Sequence, residues 1–180
     1  MKNEKLSMEQ LNRISVEEFK ASKKTPIVII LDNIRSMNNI GSVFRTADAF
    51  RIEKIFLCGI TATPPHREIN KTALGATESV DWEYKESTVE CVKNLSAMGY
   101  KIYSLEQTSE SIMMDKMDKE MIIDKKIALV FGNEVDGVQQ EVIDLSDAVL
   151  EIPQYGTKHS LNVSVSCGIA IWECSKYMNL

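Results

Sequence analysis

Six runs of β-branched and apolar residues, PIVIIL (26–31), EKIFLCG (53–59), SVDWEY (79–84), KIYSLE (101–106), KIALVFG (126–132) and AVLEIP (148–153), alternate with helix-compatible stretches at 39–50, 66–73, 87–98, 138–145 and 160–177. Each run is short enough to be a strand, and hairpin signals between them are few. Such an order predicts an α/β domain, a mostly parallel sheet with helices on both faces. The 180 residues suit one domain, 25–180, and a content of 44% apolar and 26% charged residues argues against disorder. Residues 1–24 read as an N-terminal helical extension with Leu11, Ile14 and Phe19 near one stripe, ending at Lys23-Lys24-Thr25-Pro26. Residues 106–124, with Met113, Met114, Met117 and Met121 among charges, fit a solvated helix or a loose loop equally well.

Several classes fall away early. No apolar run approaches the roughly 20 residues that cross a bilayer, and the polar start is unlike a signal peptide, so a cytoplasmic protein without membrane contact is expected. Cys58, Cys91, Cys167 and Cys174 form no Cys-x-x-Cys pair and are expected as buried free thiols. His66 and His159 stand in no metal-ligand spacing, so no metal is expected. The net charge of −5 argues superficially against a polyanionic partner. Its distribution matters more: residues 106–124 hold six acids and two lysines, and 134–151 hold six acids and no base, which leaves the remainder at +5.

In open parallel sheets, ligands bind beyond the carboxyl ends of the strands. Three loops in that position carry unusual residues. In LDNIRSMNNIGSVFRTADAF (31–50), Asn38 or Asn39 is a natural N-cap, Gly41 would let backbone approach a ligand, and Arg45 lies a turn and a half into the helix. That stretch is either a capped helix with a surface arginine or an anion site at a helix start. FGNEVDGV (131–138) breaks after a buried strand into Gly132-Asn133-Glu134 and matches neither a P-loop nor a Gly-x-Gly-x-x-Gly fingerprint. In 152–173, Ser160, Asn162, Ser164 and Ser166 alternate with Leu161, Val163 and Val165 as in a strand, while Ile169 and Trp172 continue at helical spacing. Periodicity leaves both open; as a helix, Ser160 would cap it, and Gly168 and Ala170 would allow close packing.

Taken together, Asn39-x-Gly41-x-x-x-Arg45-Thr46-Ala47-Asp48, Phe131-Gly132-Asn133-Glu134 and Ile152-Pro153…Gly156…Ser160-Leu161-Asn162-Val163-Ser164-Val165 resemble, in order and spacing, the three motifs of the SpoU family of RNA 2′-O-ribose methyltransferases. The resemblance spans about residues 26 to 177. It implies a SPOUT fold with a C-terminal trefoil knot, a homodimer, and S-adenosyl-L-methionine as methyl donor. It further implies that Leu105, Gly132, Asn133, Ile152 and Leu161 hold the donor, and that Asn39, Arg45, Glu134, Ser160 and Asn162 form the catalytic centre. Arg45 is sometimes assigned as the base in such a centre. A guanidinium stays protonated, which favours a clamp on the target phosphate, with Glu134 fixing the arginine fork or relaying the proton.

No separate RNA-binding domain of the kind some relatives carry before the catalytic core is expected in this sequence. RNA grip would fall to the dimer surface, to the N-terminal extension as a mobile arm, or to Lys23, Lys24, His66, Arg67 and Lys71, each of which taken singly reads first as ordinary solvated surface. The substrate expected is tRNA ahead of rRNA. The competing expectation is a non-catalytic RNA-binding or assembly module on the same fold; a dinucleotide-dependent oxidoreductase lacks its glycine fingerprint.

Overall fold

The computed structural model describes residues 3–7 and 9–178. Seven strands, β1 (Thr25–Asp32), β2 (Ile52–Cys58), β3 (Trp82–Lys85), β4 (Tyr100–Leu105), β5 (Ile112–Met113), β6 (Lys126–Phe131) and β7 (Ala148–Glu151), form one sheet in the order β3-β2-β1-β6-β4-β7-β5. All neighbouring pairs are parallel. The α-helices are α1 (Val16–Ala21), α2 (Met37–Ala49), α3 (Arg67–Ala73), α4 (Ala76–Ser79), α5 (Thr88–Ala97), α6 (Gln140–Asp144) and α7 (Val163–Ser175).

Burial on both faces explains why the strands read as unbroken apolar runs. Along β1, Ile27, Ile29 and Leu31 enter one core with Ile40, Val43 and Phe44 of α2 and Cys167, Ala170 and Ile171 of α7. Val28 and Ile30 point the other way, into a core shared with Val92 and Leu95 of α5 and Val142 of α6. All four cysteines are free and buried, and burial raises the thiols of Cys167 and Cys174, which makes them packing groups and poor nucleophiles.

Four expectations need revision. The N-terminal stripe is shorter than expected: α1 starts at Val16 behind a Ser15–Glu18 capping box, Phe19 is buried, and Leu11 and Ile14 are exposed. Residues 1, 2 and 8 of that stretch lie outside the described ones. Residues 106–124 are neither a solvated helix nor a loose loop: β5 adds to the sheet edge beside β7, two short 3-10 helices follow at Met114–Lys116 and Lys119–Met121, and Met114, Met117 and Ile122 are buried against the core. The 160–177 stretch is helix only from Val163, and its N-cap is Asn162, whose Oδ1 accepts from the Ser164 amide at 2.9 Å; Ser160 precedes it. Likewise the N-cap of α2 is Ser36 rather than Asn38 or Asn39, with its hydroxyl accepting from the Asn39 amide at 3.3 Å.

Gly41 also has a different task from the one its motif suggested. A Cβ there would sit 2.1 Å from Thr72 Oγ1 and 2.2 Å from the Ile69 carbonyl oxygen. The missing side chain lets α3 lie against α2, not backbone against a ligand, and Thr72 Oγ1 donates across the contact to the Asn38 carbonyl at 3.0 Å.

Candidate active site

Strand order reverses beside β1: β2 and β3 continue to one side, and β6, β4 and β7 lie on the other. The carboxyl ends of β4, β6 and β7 open into a cavity of about 530 Å³. Its wall includes Leu105, Gly132, Asn133, Ile152 and Leu161, all five residues expected to hold a donor. Glu134, Ser160 and Asn162 line it as well.

Backbone requirements explain the shape of the middle loop. A Cβ on Gly132 would lie 2.1 Å from both the Gly137 carbonyl carbon and the Val138 nitrogen. Gly137 adopts φ +70°, and Asn133 and Gly137 exchange amide-to-carbonyl hydrogen bonds at 3.0 and 2.9 Å. The Asn133 side chain is spent on the loop itself. Its Nδ2 donates to the Asn33 carbonyl at 2.7 Å and its Oδ1 accepts from the Val135 and Asp136 amides. With its main-chain amide and carbonyl bonded to Gly137 as well, Asn133 shapes the wall of the cavity.

A polar chain ties the three motifs together. Glu134 accepts from the backbone amides of Arg35 at 3.0 Å and Ser36 at 3.1 Å, both at the start of α2, and from Asn39 Nδ2 at 3.1 Å. Asn39 Oδ1 in turn accepts from Asn162 Nδ2 at 3.1 Å. Glu134 is therefore an anion seated on a helix N-terminus, where the free amides favour negative charge. Burial pushes its carboxyl upward, but the amides of Arg35, Glu134 itself and Ser36, with the Asn39 side chain, outweigh that and hold it below the usual range. The sign follows directly. A depressed folded-state pKa contributes stability that is full above the ordinary value of 4.5 and fades as pH falls through the lower, folded one. Glu134→Gln should be less stable than wild type at pH 7 in a denaturant titration, and the gap should close on acidification below about pH 4.

Of the expected catalytic residues, Asn39 reaches the cavity wall only through its bonds to Glu134 and Asn162, and Arg45 is not brought to it. It is exposed, absent from the cavity wall, and without a hydrogen-bond or ion-pair partner among the described residues. Six residues separate it from Asn39, which turns it about 240° around α2 and moves it about 9 Å along the axis.

The structure also reveals site residues that had no sequence signal beyond their place at a strand's carboxyl end. Glu106, just after β4, accepts from the Val138 amide at 3.0 Å and the Gln107 amide at 2.8 Å. Gln107 Nε2 donates to the His159 carbonyl at 3.0 Å. This pair braces the loop after β4 against both other walls. Beneath them, the fully buried Asp32 accepts from Thr88 Oγ1, from Asn33 Nδ2 and from both the amide and the side chain of Gln139.

The expected RNA contacts separate into two kinds. Lys24 is bent back onto the end of α1, donating to the carbonyls of Phe19 and Ser22, so it caps a helix instead of standing free. His66 Nδ1 accepts from the Glu68 amide at 3.2 Å and caps α3. Arg67 and Lys71 are exposed one turn apart on α3, and Lys23 is exposed. Among the described residues, no helix is long and apolar enough to cross a membrane and no cluster of His, Cys, Asp or Glu is placed to hold a metal.

Comparison with known proteins agrees with this geometry. Residues 26–172 match the model of the SpoU rRNA Methylase family. A Borreliella burgdorferi protein named as an uncharacterized tRNA/rRNA methyltransferase is 34% identical over 92% of this chain and 70% of its own length. An Aquifex aeolicus tRNA (guanosine(18)-2′-O)-methyltransferase is 27% identical over 89% of this chain and 74% of its own. Among solved structures, an AdoMet-bound rRNA methyltransferase from Sinorhizobium meliloti superposes with a TM-score of 0.79 at 24% identity, over 90% of this chain and 61% of that one.

Proposed function

The chain belongs to the SpoU rRNA methylase family, and on that premise we propose that it transfers the methyl group of S-adenosylmethionine to a ribose 2′-hydroxyl of RNA. The observation that carries this reading is a cavity at the strand ends lined by residues of the second and third motifs, with Asn39 of the first hydrogen-bonded to two of them, Glu134 and Asn162. The name of the solved relative with AdoMet bound supports the choice of donor. Main-chain groups at Gly132, Ile152 and Leu161 hold it, with Leu105 an apolar wall, which accounts for apolar side chains inside binding motifs. The bound donor supplies an electrophilic methyl carbon on a sulfonium. The protein has to set a ribose hydroxyl in line with it and receive one proton.

Asn39 and Asn162, locked to each other and to Glu134, present a fixed polar edge at the cavity mouth that orients the ribose. Glu134 itself is occupied by amide donors, so its part is positioning, not proton transfer. Arg45 enters from a second copy of the chain. Support comes from α7, which buries Val163, Cys167, Ala170 and Cys174 yet leaves Val165, Ile169 and Trp172 exposed at helical spacing. Nothing lies within 4 Å of a Cβ built on Gly168, so that surface is also open to close backbone approach. A homodimer through this face would cover the apolar stripe. A threaded C-terminus is supported by residues 152–162 sharing the cavity wall with the loops after β4 and β6 while α7 packs on α2 and β6.

We favour tRNA as substrate, because this chain spans more of the tRNA-modifying relative than of the rRNA-modifying one, and the cytoplasm as its place of action. The test is incubation with S-adenosylmethionine and total RNA from a strain lacking the protein, followed by mapping of ribose methylation. A new 2′-O-methyl nucleotide in a tRNA is expected. Methylation confined to rRNA would overturn the tRNA preference, and no transfer at all would overturn the reading.

A further inference from the structure

The cavity wall that the third motif supplies is held differently from the others. The loop after β6 is locked by the paired bonds of Asn133 and Gly137, by the Arg35 and Ser36 amides that Glu134 accepts, and by the Val138 amide that Glu106 accepts. The segment 152–161 brings Ile152, Gln154, His159, Ser160 and Leu161 to the same cavity. Its ends are anchored, because Ile152 packs on the core and Val163, just beyond it, is buried. Between these anchors, residues 155–161 are all exposed. Among the described residues, one hydrogen bond joins the segment to the rest of the chain, from Gln107 Nε2 to the His159 carbonyl at 3.0 Å.

Gln107 is built for that contact. The Glu106 amide donates to the Leu150 carbonyl at 3.1 Å, which carries the β4–β7 pairing one residue past β4, and the Glu106 carboxylate accepts from the Gln107 amide at 2.8 Å. The main chain of Gln107 is thereby fixed while its side chain crosses to the far wall. A carbonyl oxygen only accepts, so this contact requires a donor, and a primary amide supplies one without adding charge. We propose that Gln107 is a positioning residue for the methyl donor, the catch that holds the segment 152–161 closed over it; the proposal rests on the methyl-transfer reading above. Opening exchanges one exposed hydrogen bond for water, which is a small free-energy step. Donor and product therefore pass by way of this strap, and the locked loop after β6 stays in place. When closed, the strap keeps the main chain of Ile152 and Leu161 against the donor.

The experiment compares wild type with Gln107→Glu, which keeps the shape and removes the donor, with Gln107→Ala, and with Gln107→Lys, which can still donate. Calorimetry gives the affinity for S-adenosylmethionine, single-turnover methylation of the mapped RNA gives the rate at saturating donor, and hydrogen exchange reports on residues 154–161 with the donor bound. The Glu and Ala variants should bind the donor about fivefold more weakly and exchange these amides faster than wild type, while the saturating rate stays within about twofold. Gln107→Lys should recover part of the affinity, which a merely structural role would not allow. The denaturant midpoint should not move, because Gln107 is exposed. Donor affinity within about 1.5-fold of wild type in both the Glu and Ala variants, with unchanged exchange in the segment, overturns the proposal and leaves the methyl-transfer reading intact. A fall in the saturating rate at unchanged affinity overturns it as well, since Gln107 would then act on the chemical step. Wild type that binds no S-adenosylmethionine sinks the reading beneath.

Discussion

Arg45→Ala should lower RNA methylation about 10³-fold while S-adenosylmethionine binding stays within about twofold of wild type. The reasons lie in where the side chain stands. It is exposed, unpartnered among the described residues and outside the cavity wall, so its removal costs the folded monomer little, within about 0.5 kcal/mol. We propose that this fork, unengaged on a helix otherwise packed by Ile40, Val43, Phe44 and Ala47, meets its partner in the assembly. In the proposed dimer that partner is the substrate, whose phosphate and developing alkoxide are both anionic. Arg45→Lys should recover only part of the loss, because an ammonium cannot reproduce a bidentate grip. Rates from a radiolabelled transfer assay and affinities from calorimetry separate the two effects. Wild-type turnover by Arg45→Ala would remove the assignment.

The largest loss of stability is expected at Asp32. Its carboxylate, at 0% exposure, takes hydrogen bonds from Thr88 at the start of α5, from Asn33, and from the amide and side chain of Gln139 at the start of α6. Asp32→Ala leaves those buried donors without an acceptor at a cost of about 3 kcal/mol or more, measurable by denaturant titration. The damage should reach the cavity, since Gln139 directly follows the loop that Gly132 and Gly137 close. Donor affinity should therefore fall with stability. Asp32→Asn, which keeps one acceptor oxygen, should fall between the two. Unchanged stability in Asp32→Ala would contradict the role of this carboxylate as the hub beneath the site.

Much of the architecture was legible from the sequence because parallel strands buried on both faces leave an unbroken apolar record. The run at 26–31 became β1 at Thr25–Asp32, and 126–132 became β6 at Lys126–Phe131. β5 was not legible, because two residues at a sheet edge leave no periodicity and the methionines around them hide their burial. Helix caps were misplaced where several cap-forming residues stand in a row. Ser36 caps α2 while the Asn39 side chain is engaged with Glu134 and Asn162, and Asn162 caps α7 through Oδ1 while its Nδ2 donates to Asn39. Gly41 looked like a ligand-approach glycine and turned out to admit α3, because the sequence does not show which backbone comes close.

The site was legible as a set of loops but not as a network. All five residues that the family resemblance implied as donor contacts line one cavity. The bonds that hold the walls together join residues far apart in sequence. Glu106 bonds Val138, 32 positions away, and Asp32 bonds Gln139, 107 away, and neither acid differs in sequence from an ordinary surface charge. Lys24 and His66, read as RNA contacts, proved to be spent on local helix ends. Short-range caps of this kind compete with recognition for the same side chains, and only geometry decides between them.

The most direct measurement is a crystal structure of the protein with S-adenosylmethionine bound. The donor should lie in the cavity between Leu105, Gly132, Ile152 and Leu161, with its methyl carbon facing Arg45 of a second copy across the space a ribose would fill. A donor bound elsewhere, or Arg45 remote from the methyl in every copy of the assembly, would contradict the account.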